Sequence, residues 1–192
     1  MNTANYGFTA NTDKALLLGP GVVFINYGET TGERMLGATR GGNEFDAGLT
    51  YRNIDVDAPA ANIKGLRRFE GANPTITTNL LELTKENLLA AIPGSISTAG
   101  TIGPPVLTEW DILTVGEIAA TAYLKNVAFV GTLSGSVTPV VVIIKNALAD
   151  GGFQMALSNH NEGVLKVVFR GYYDAAAPGS APFELRWPHI TP

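Results

Sequence analysis

The chain has 192 residues, which favours one domain, and its 45% hydrophobic content, mean hydropathy of +0.14 and net charge of −4 exclude a disordered polymer. It has no cysteine, which excludes a disulfide scaffold and a thiolate metal site, and its mild acidity argues against tight binding to nucleic-acid phosphates. Only 16% of its residues are charged, against about 25% in an ordinary soluble domain, so part of the exterior is expected to be buried in an assembly.

Residues 1–18, rich in Asn, Thr and Ala, read as an N-terminal arm. Lys14 followed by an apolar run to Ile25 is the one stretch like a signal peptide. Gly19-Pro20-Gly21 splits it, and secretion is not expected. Val22–Asn26 is β-branched enough for a strand, and the Gly- and Thr-rich stretch Tyr27–Gly42 reads as loop. From Tyr51 the residues alternate: Arg52, Ile54 and Val56 share one face, and Tyr51, Asn53, Asp55 and Asp57 the other, as in a half-buried strand. A second run, Ile63–Glu70, follows Pro59. A third, Thr75–Leu83, places Ile76, Thr78 and Leu80 on one face.

Thr84 begins the best helix signal, with Glu86 in the first turn, Leu88, Leu89 and Ile92 on one face, and Pro93-Gly94 as the stop. Leu83 and Leu88 are spaced for a hydrophobic staple. Residues 95–116, broken by Gly103-Pro104-Pro105, read mostly as a long loop with a short strand near Val106–Leu113. The remainder alternates as a meander of strands: Tyr123–Val130, Val140–Leu148, Phe153–Leu157, Leu165–Tyr173 and Phe183–Trp187. Asp150-Gly151-Gly152 and Asn159–Gly163 read as hairpin turns, and residues 175–192 as a C-terminal arm. The longest apolar run, Pro139–Ile144, ends at Lys145, far short of the roughly 20 residues that span a bilayer. Many short strands with one helix predict a single mainly β domain, a β-sandwich or small β-barrel with one flanking short helix and extended arms.

The chemistry of known catalytic motifs is missing. No Gly-Lys-Ser/Thr phosphate loop or dinucleotide fingerprint occurs, and Gly131–Gly135 places Ser134 one position too late for a nucleophile elbow. The two histidines, His160 and His189, have no sequence partners and read as solvated or interface residues, with a ligand or general base as the alternative. Asp55 and Asp57 lack the further oxygen ligands and glycine of a calcium loop. Arg67 and Arg68 point to opposite faces of a strand, so inter-subunit ion pairing is preferred over nucleic-acid contact. Trp110 and Trp187 read as core or interface anchors, with sugar stacking as the alternative. No enzymatic activity and no cofactor are expected.

The stretches Gly37–Phe45 (GATRGGNEF), Tyr51–Asp57 (YRNIDVD) and Ile63–Gly94, with Leu83-Thr84-Lys85-Glu86-Asn87-Leu88 at the helix start, resemble tail tube proteins of long-tailed, non-contractile (siphovirus-like) bacteriophages. The resemblance covers about the middle third of the chain. It implies a β-sandwich or barrel subunit in hexameric rings that stack into a tube conducting DNA, a place in the virion tail, and assembly in the host cytoplasm. Implied partners are further copies, the tape measure, tail terminator and baseplate or distal tail proteins, and transiently passing DNA, with no membrane segment. Under this reading Asp55 and Asp57 line or flank the lumen. Arg67, Arg68, Thr84, Glu86, Leu88 and Trp187 are inter-subunit candidates, and the two arms reach neighbouring rings. The rival readings are a carbohydrate- or receptor-binding sandwich using Trp110 and Trp187, a β-barrel enzyme using His160 or His189, and the tube subunit of a contractile tail or type VI secretion system.

Overall fold

A computed structural model describes residues 8–9, 11–55, 57, 63–102, 107–151, 154–158 and 161–189, the side chains of 99–102, 107–109, 156–158 and 161 excepted. Its strands are β1 (Leu17–Ile25), β2 (Arg34–Met35), β3 (Thr39–Asp46), β4 (Leu49–Asn53), β5 (Arg67–Ala72), β6 (Thr75–Leu80), β7 (Ser95–Ile102), β8 (Leu107–Val115), β9 (Leu124–Leu133), β10 (Val140–Ala149), β11 (Gln154–Ser158), β12 (Asn161–Arg170) and β13 (Phe183–Arg186). One α-helix, α1 (Lys85–Ala91), follows β6. The fold is mainly β, as a sandwich with one short helix.

Two antiparallel layers enclose the core. The first runs β2-β1-β9-β10-β13, and the second is built on β12, paired with β6 on one side, with β3 beyond β6. Because side chains alternate across each strand, every layer turns one apolar row inward. Val23, Ile25, Val127, Phe129, Val142 and Ile144 from the first layer meet Ile76, Leu80, Leu165, Val167 and Phe169 from the second. The Thr-rich strand behaves as its pattern predicts: Ile76, Thr78 and Leu80 are fully buried.

β10 belongs to both layers. Its residues Val141–Ile144 pair with β13, and its last residues, Leu148 and Ala149, pair with Arg170 and Phe169 of β12. The change of direction falls at Asn146, whose φ of 48° is tolerated by a short polar side chain, and whose Nδ2 donates to the Tyr172 carbonyl at 3.2 Å. On the opposite side Asn43 of β3 donates to the Pro20 carbonyl of β1 at 2.8 Å.

Several boundaries differ from the sequence expectation. The stretch Tyr27–Gly42 holds β2 and the start of β3, whose glycines Gly41 and Gly42 adopt positive φ in an irregular edge strand that composition alone reads as loop. The meander is interrupted. β10 and β11 both pair antiparallel to the same edge of β12, so β11 continues β10, and Asp150-Gly151 lies in a bulge, not a hairpin turn. A bulge and a tight turn share the same Gly-rich composition. The N-terminal arm is shorter than 1–18 because Leu17 and Leu18 pair with Leu133 and Thr132. The C-terminal arm is anchored inside the first layer by β13.

Gly21 shows how closely β1 and β9 approach within the first layer. It has φ +67° at the β1 bulge, and a Cβ there would lie 2.2 Å from the Phe129 ring and 2.8 Å from the Val130 carbonyl oxygen. Gly21→Ala is expected to destabilise the fold by about 3 kcal/mol, from left-handed strain plus the backbone clash. Urea unfolding checks this; an unchanged midpoint would refute the packing described.

Candidate functional site

Two hairpins stand apart from the sandwich, each a two-stranded sheet of its own. A two-stranded hairpin without a third strand or a covering layer is marginal in water. In the first hairpin every residue of β4 is exposed, and β5 is exposed until Gly71. The register pairs Tyr51 with Phe69, Arg52 with Arg68 and Asn53 with Arg67. On one face Tyr51 and Phe69 meet edge-on at 5.8 Å, and the Arg67 guanidinium lies 4.5 Å above the Tyr51 ring. On the other, Arg52 pairs with Glu70 at 3.2 Å, while Arg68 donates to the Gly65 carbonyl at 2.7 Å. Asp55 and Asp57 are exposed and lie beyond the end of β4, so they do not share a half-buried strand face with Tyr51. The alternation there is real in sequence, but among the described residues no layer covers either face.

The second hairpin, β7 and β8, replaces the long loop expected over 95–116. Its register pairs Ile96 with Thr114, Thr98 with Ile112 and Gly100 with Trp110. Lys85 of α1 reaches Asp111 at 2.7 Å, which turns the Asp111 face toward the helix. The alternate residues Ile96, Trp110 and Ile112 therefore share the outward face, where Ile96 and Trp110 are more than half exposed. The alternation of Trp110, Ile112 and Thr114 against Asp111 and Leu113 was the available signal, masked in composition by Gly103-Pro104-Pro105.

The helix between these hairpins is held by polar groups that its sequence names. Thr84 is the N-cap, its hydroxyl accepting the Asn87 backbone N–H at 3.2 Å, and Ile92 closes the helix. The Asn87 side chain is buried; its amide nitrogen donates to the Leu36 and Glu82 carbonyls, and its oxygen accepts from Arg34 at 2.6 Å. Arg34 also donates to the Glu86 carbonyl at 2.9 Å. Burial holds the Arg34 guanidinium below its ordinary pKa, and the Glu86 charge partly opposes that shift. Leu88 packs against the core, whereas the Glu86 side chain is exposed and Leu83, the other half of the predicted staple, is 38% exposed. Leu88→Asp is expected to destabilise folding itself by at least about 3 kcal/mol, because a carboxylate would replace apolar packing. Circular dichroism of that variant should show lost native structure; a natively folded variant would place Leu88 outside the core.

A groove of about 470 Å³ lies beside β13 and is lined by Lys125, Lys145, Glu29, Glu184, Arg186 and Asp174 among others. Its charges are largely matched internally: Lys125 with Glu29 at 2.7 Å, Arg186 with Glu184 at 2.7 Å, and Lys145 with Glu184 at 3.8 Å. Asp174 accepts the Ala176 backbone N–H at 2.8 Å. The hydrogen bond from Arg186 chiefly holds the Glu184 carboxyl below the usual carboxylate range. That contribution to stability is present above the ordinary glutamate pKa and is lost as pH falls through the lowered one. An NMR titration should find the Glu184 midpoint below that of an exposed glutamate, and Arg186→Ala should return it.

Among the described residues no group of three or more His, Cys, Asp or Glu side chains is placed to hold a metal ion. Nor is any described helix long and apolar enough to cross a membrane. His189 is exposed after β13, and His160 lies outside the described residues. Trp187, following β13, is 55% exposed. The structure thus brings Tyr51 and Arg67 together in one hairpin and Thr84 and Leu88 on one helix, and sets Trp187 on the edge of the first layer. What the surface offers is apolar hairpin faces. Neither models of known protein families nor the curated proteins contain a match to this chain.

Proposed function

We propose that this chain is the structural subunit of a phage tail tube, self-associating into hexameric rings that stack around a channel for DNA. The observation that carries the reading is the pair of hairpins with exposed apolar faces, which the described core of the sandwich does not cover, on a chain with few charges. Such faces are stable in water only when another surface covers them. Contacts between unlike surfaces, repeated from copy to copy, close into rings or extend into filaments. The Leu83–Leu88 segment supports the same reading, because two polar residues of the resemblance hold the helix in place. Thr84 caps it, and Asn87 ties it to the chain just after β2.

The outer face of the second layer suits a channel wall. Thr75, Thr77 and Asn79 of β6 form its middle row, with Asp46 and Arg170 beside Thr75, Glu44 and Val168 beside Thr77 and Lys166 beside Asn79, the Arg170 guanidinium being paired with Asp150. Hydroxyls, amides and acids give a sliding phosphate backbone few cations to displace counterions from, so DNA passes without being held. Asp55 and Asp57 add acid at the exposed end of the first hairpin and remain lumen candidates. The mechanism is assembly and passive conduction, with the tape measure, terminator and distal tail proteins as further partners.

Sedimentation and negative-stain microscopy of the purified chain at high concentration test the reading, with rings or tubes as the expected result. A monomer at every concentration whose tryptophan fluorescence responds to glycans would replace it with a carbohydrate-binding module built on Trp110 and Trp187.

A further inference from the structure

We propose that the β4–β5 hairpin is a jointed arm and that the Tyr173 hydroxyl is the latch that fixes the angle at which it leaves the sandwich. The latch is a property of the single chain and is independent of the self-assembly reading.

The joint lies where two ladders break at the same level. β3 runs on into β4 and β5 into β6, but between the Asp46–Thr75 pair and the Leu49–Ala72 pair the pairing is interrupted, at Ala47-Gly48 on one side and Asn73-Pro74 on the other. Gly48 has φ +53°, and a Cβ there would lie 2.2 Å from the Asn73 carbonyl oxygen, so the crossing takes glycine alone. The Asn73 backbone N–H donates to the Gly48 carbonyl at 3.0 Å and bridges the break. On the sandwich side Pro74 is buried, and its carbonyl accepts the Gly171 N–H at 2.9 Å. On the hairpin side every residue of β4 is exposed.

The latch spans this joint. Asn73 turns its N–H toward the β4 side, so the N–H of its neighbour Ala72 points to the opposite edge of β5. Ala72 is 2% exposed, and an unmet donor there would be costly. The Tyr173 hydroxyl accepts it at 2.9 Å. Tyr173 can hold the arm because the chain before it is fixed: Gly171 is bonded to Pro74, and the Tyr172 N–H donates to the Lys145 carbonyl at 3.0 Å. A surface that meets an arm already held at one angle does not have to order it, so the latch raises the affinity of whatever covers Tyr51 and Phe69.

Tyr173→Phe keeps the ring and removes the acceptor. Hydrogen exchange resolved to single amides, at a concentration where the chain is monomeric, tests the latch. Exchange at Ala72 is expected to quicken by about tenfold or more, with the amides of β4 and β5 following it and those of β9 and β10 unchanged. An unchanged Ala72 amide overturns the proposal, and so does a faster Ala72 amide beside an unaltered hairpin. Should the variant lose protection throughout β9 and β10, the natural chain decides the matter in low urea. There Ala72 is expected to exchange together with β4 and β5, before the core opens; exchange of Ala72 only together with β9 and β10 overturns the latch.

Discussion

Alanine in place of Asn87 is expected to destabilise the monomer by about 3 kcal/mol, a drop of roughly 6–12 °C in Tm for a chain of this size. The side chain is 3% exposed and makes three hydrogen bonds at once, at 2.6 Å with Arg34, 2.8 Å with the Leu36 carbonyl and 2.9 Å with the Glu82 carbonyl. Truncation leaves two carbonyls and part of a half-buried guanidinium without partners, and desolvation makes such losses larger than the net worth of the bonds. Thr84→Ala removes only the N-cap acceptor and should destabilise by about 1 kcal/mol. Asn87→Asp keeps an acceptor for Arg34 but loses both amide donors, so it should fall nearer to alanine than to the natural chain. Thermal unfolding of the three variants checks the order; an Asn87→Ala midpoint above that of Thr84→Ala would show that the amide does not hold the helix in place.

Replacing Trp110 and Ile112 together by serine should leave monomer stability within about 1 kcal/mol of the natural chain while weakening self-association on the order of 100-fold. The first half follows because both side chains lie on the outward face of β8 and neither belongs to the core. The second follows because a well-packed tryptophan anchor in an interface is commonly worth about 2 kcal/mol or more, and a neighbouring aliphatic adds to it. Sedimentation across a concentration series reads the association, and chemical unfolding reads the fold. Unchanged association with an intact fold would mean that this face stays in solvent in the assembly.

The two results probe different layers of what the chain encodes. The helix was legible because capping is local: Thr84, Glu86 and the Pro93-Gly94 stop act within a few residues of one another, and the structure places the caps at Thr84 and Ile92. The Asn87 bridge was not legible, since its partners Arg34 and Leu36 are more than fifty positions away. The second hairpin was half legible. Trp110, Ile112 and Thr114 alternate as a strand should, but a Gly-Pro-Pro turn signals equally well a loop or a hairpin connection, and only the Ser95–Ile102 strand lying opposite decides between them. Asp55 and Asp57 show the converse failure, where alternation continued in sequence past the point at which the strand ended.

The amino-acid sequence by itself determined the class, a charge-poor mainly β chain with one capped helix, and which residues of β6 face inward, because those properties depend on composition and on the two-residue period of a strand. The tertiary structure alone decided that β10 serves both layers, that β11 prolongs it, and that two hairpins stand clear with bare apolar faces. Backbone hydrogen bonds carry no residue identity, so a strand's pattern states which of its faces is apolar without stating which strand, or which other molecule, will lie against it.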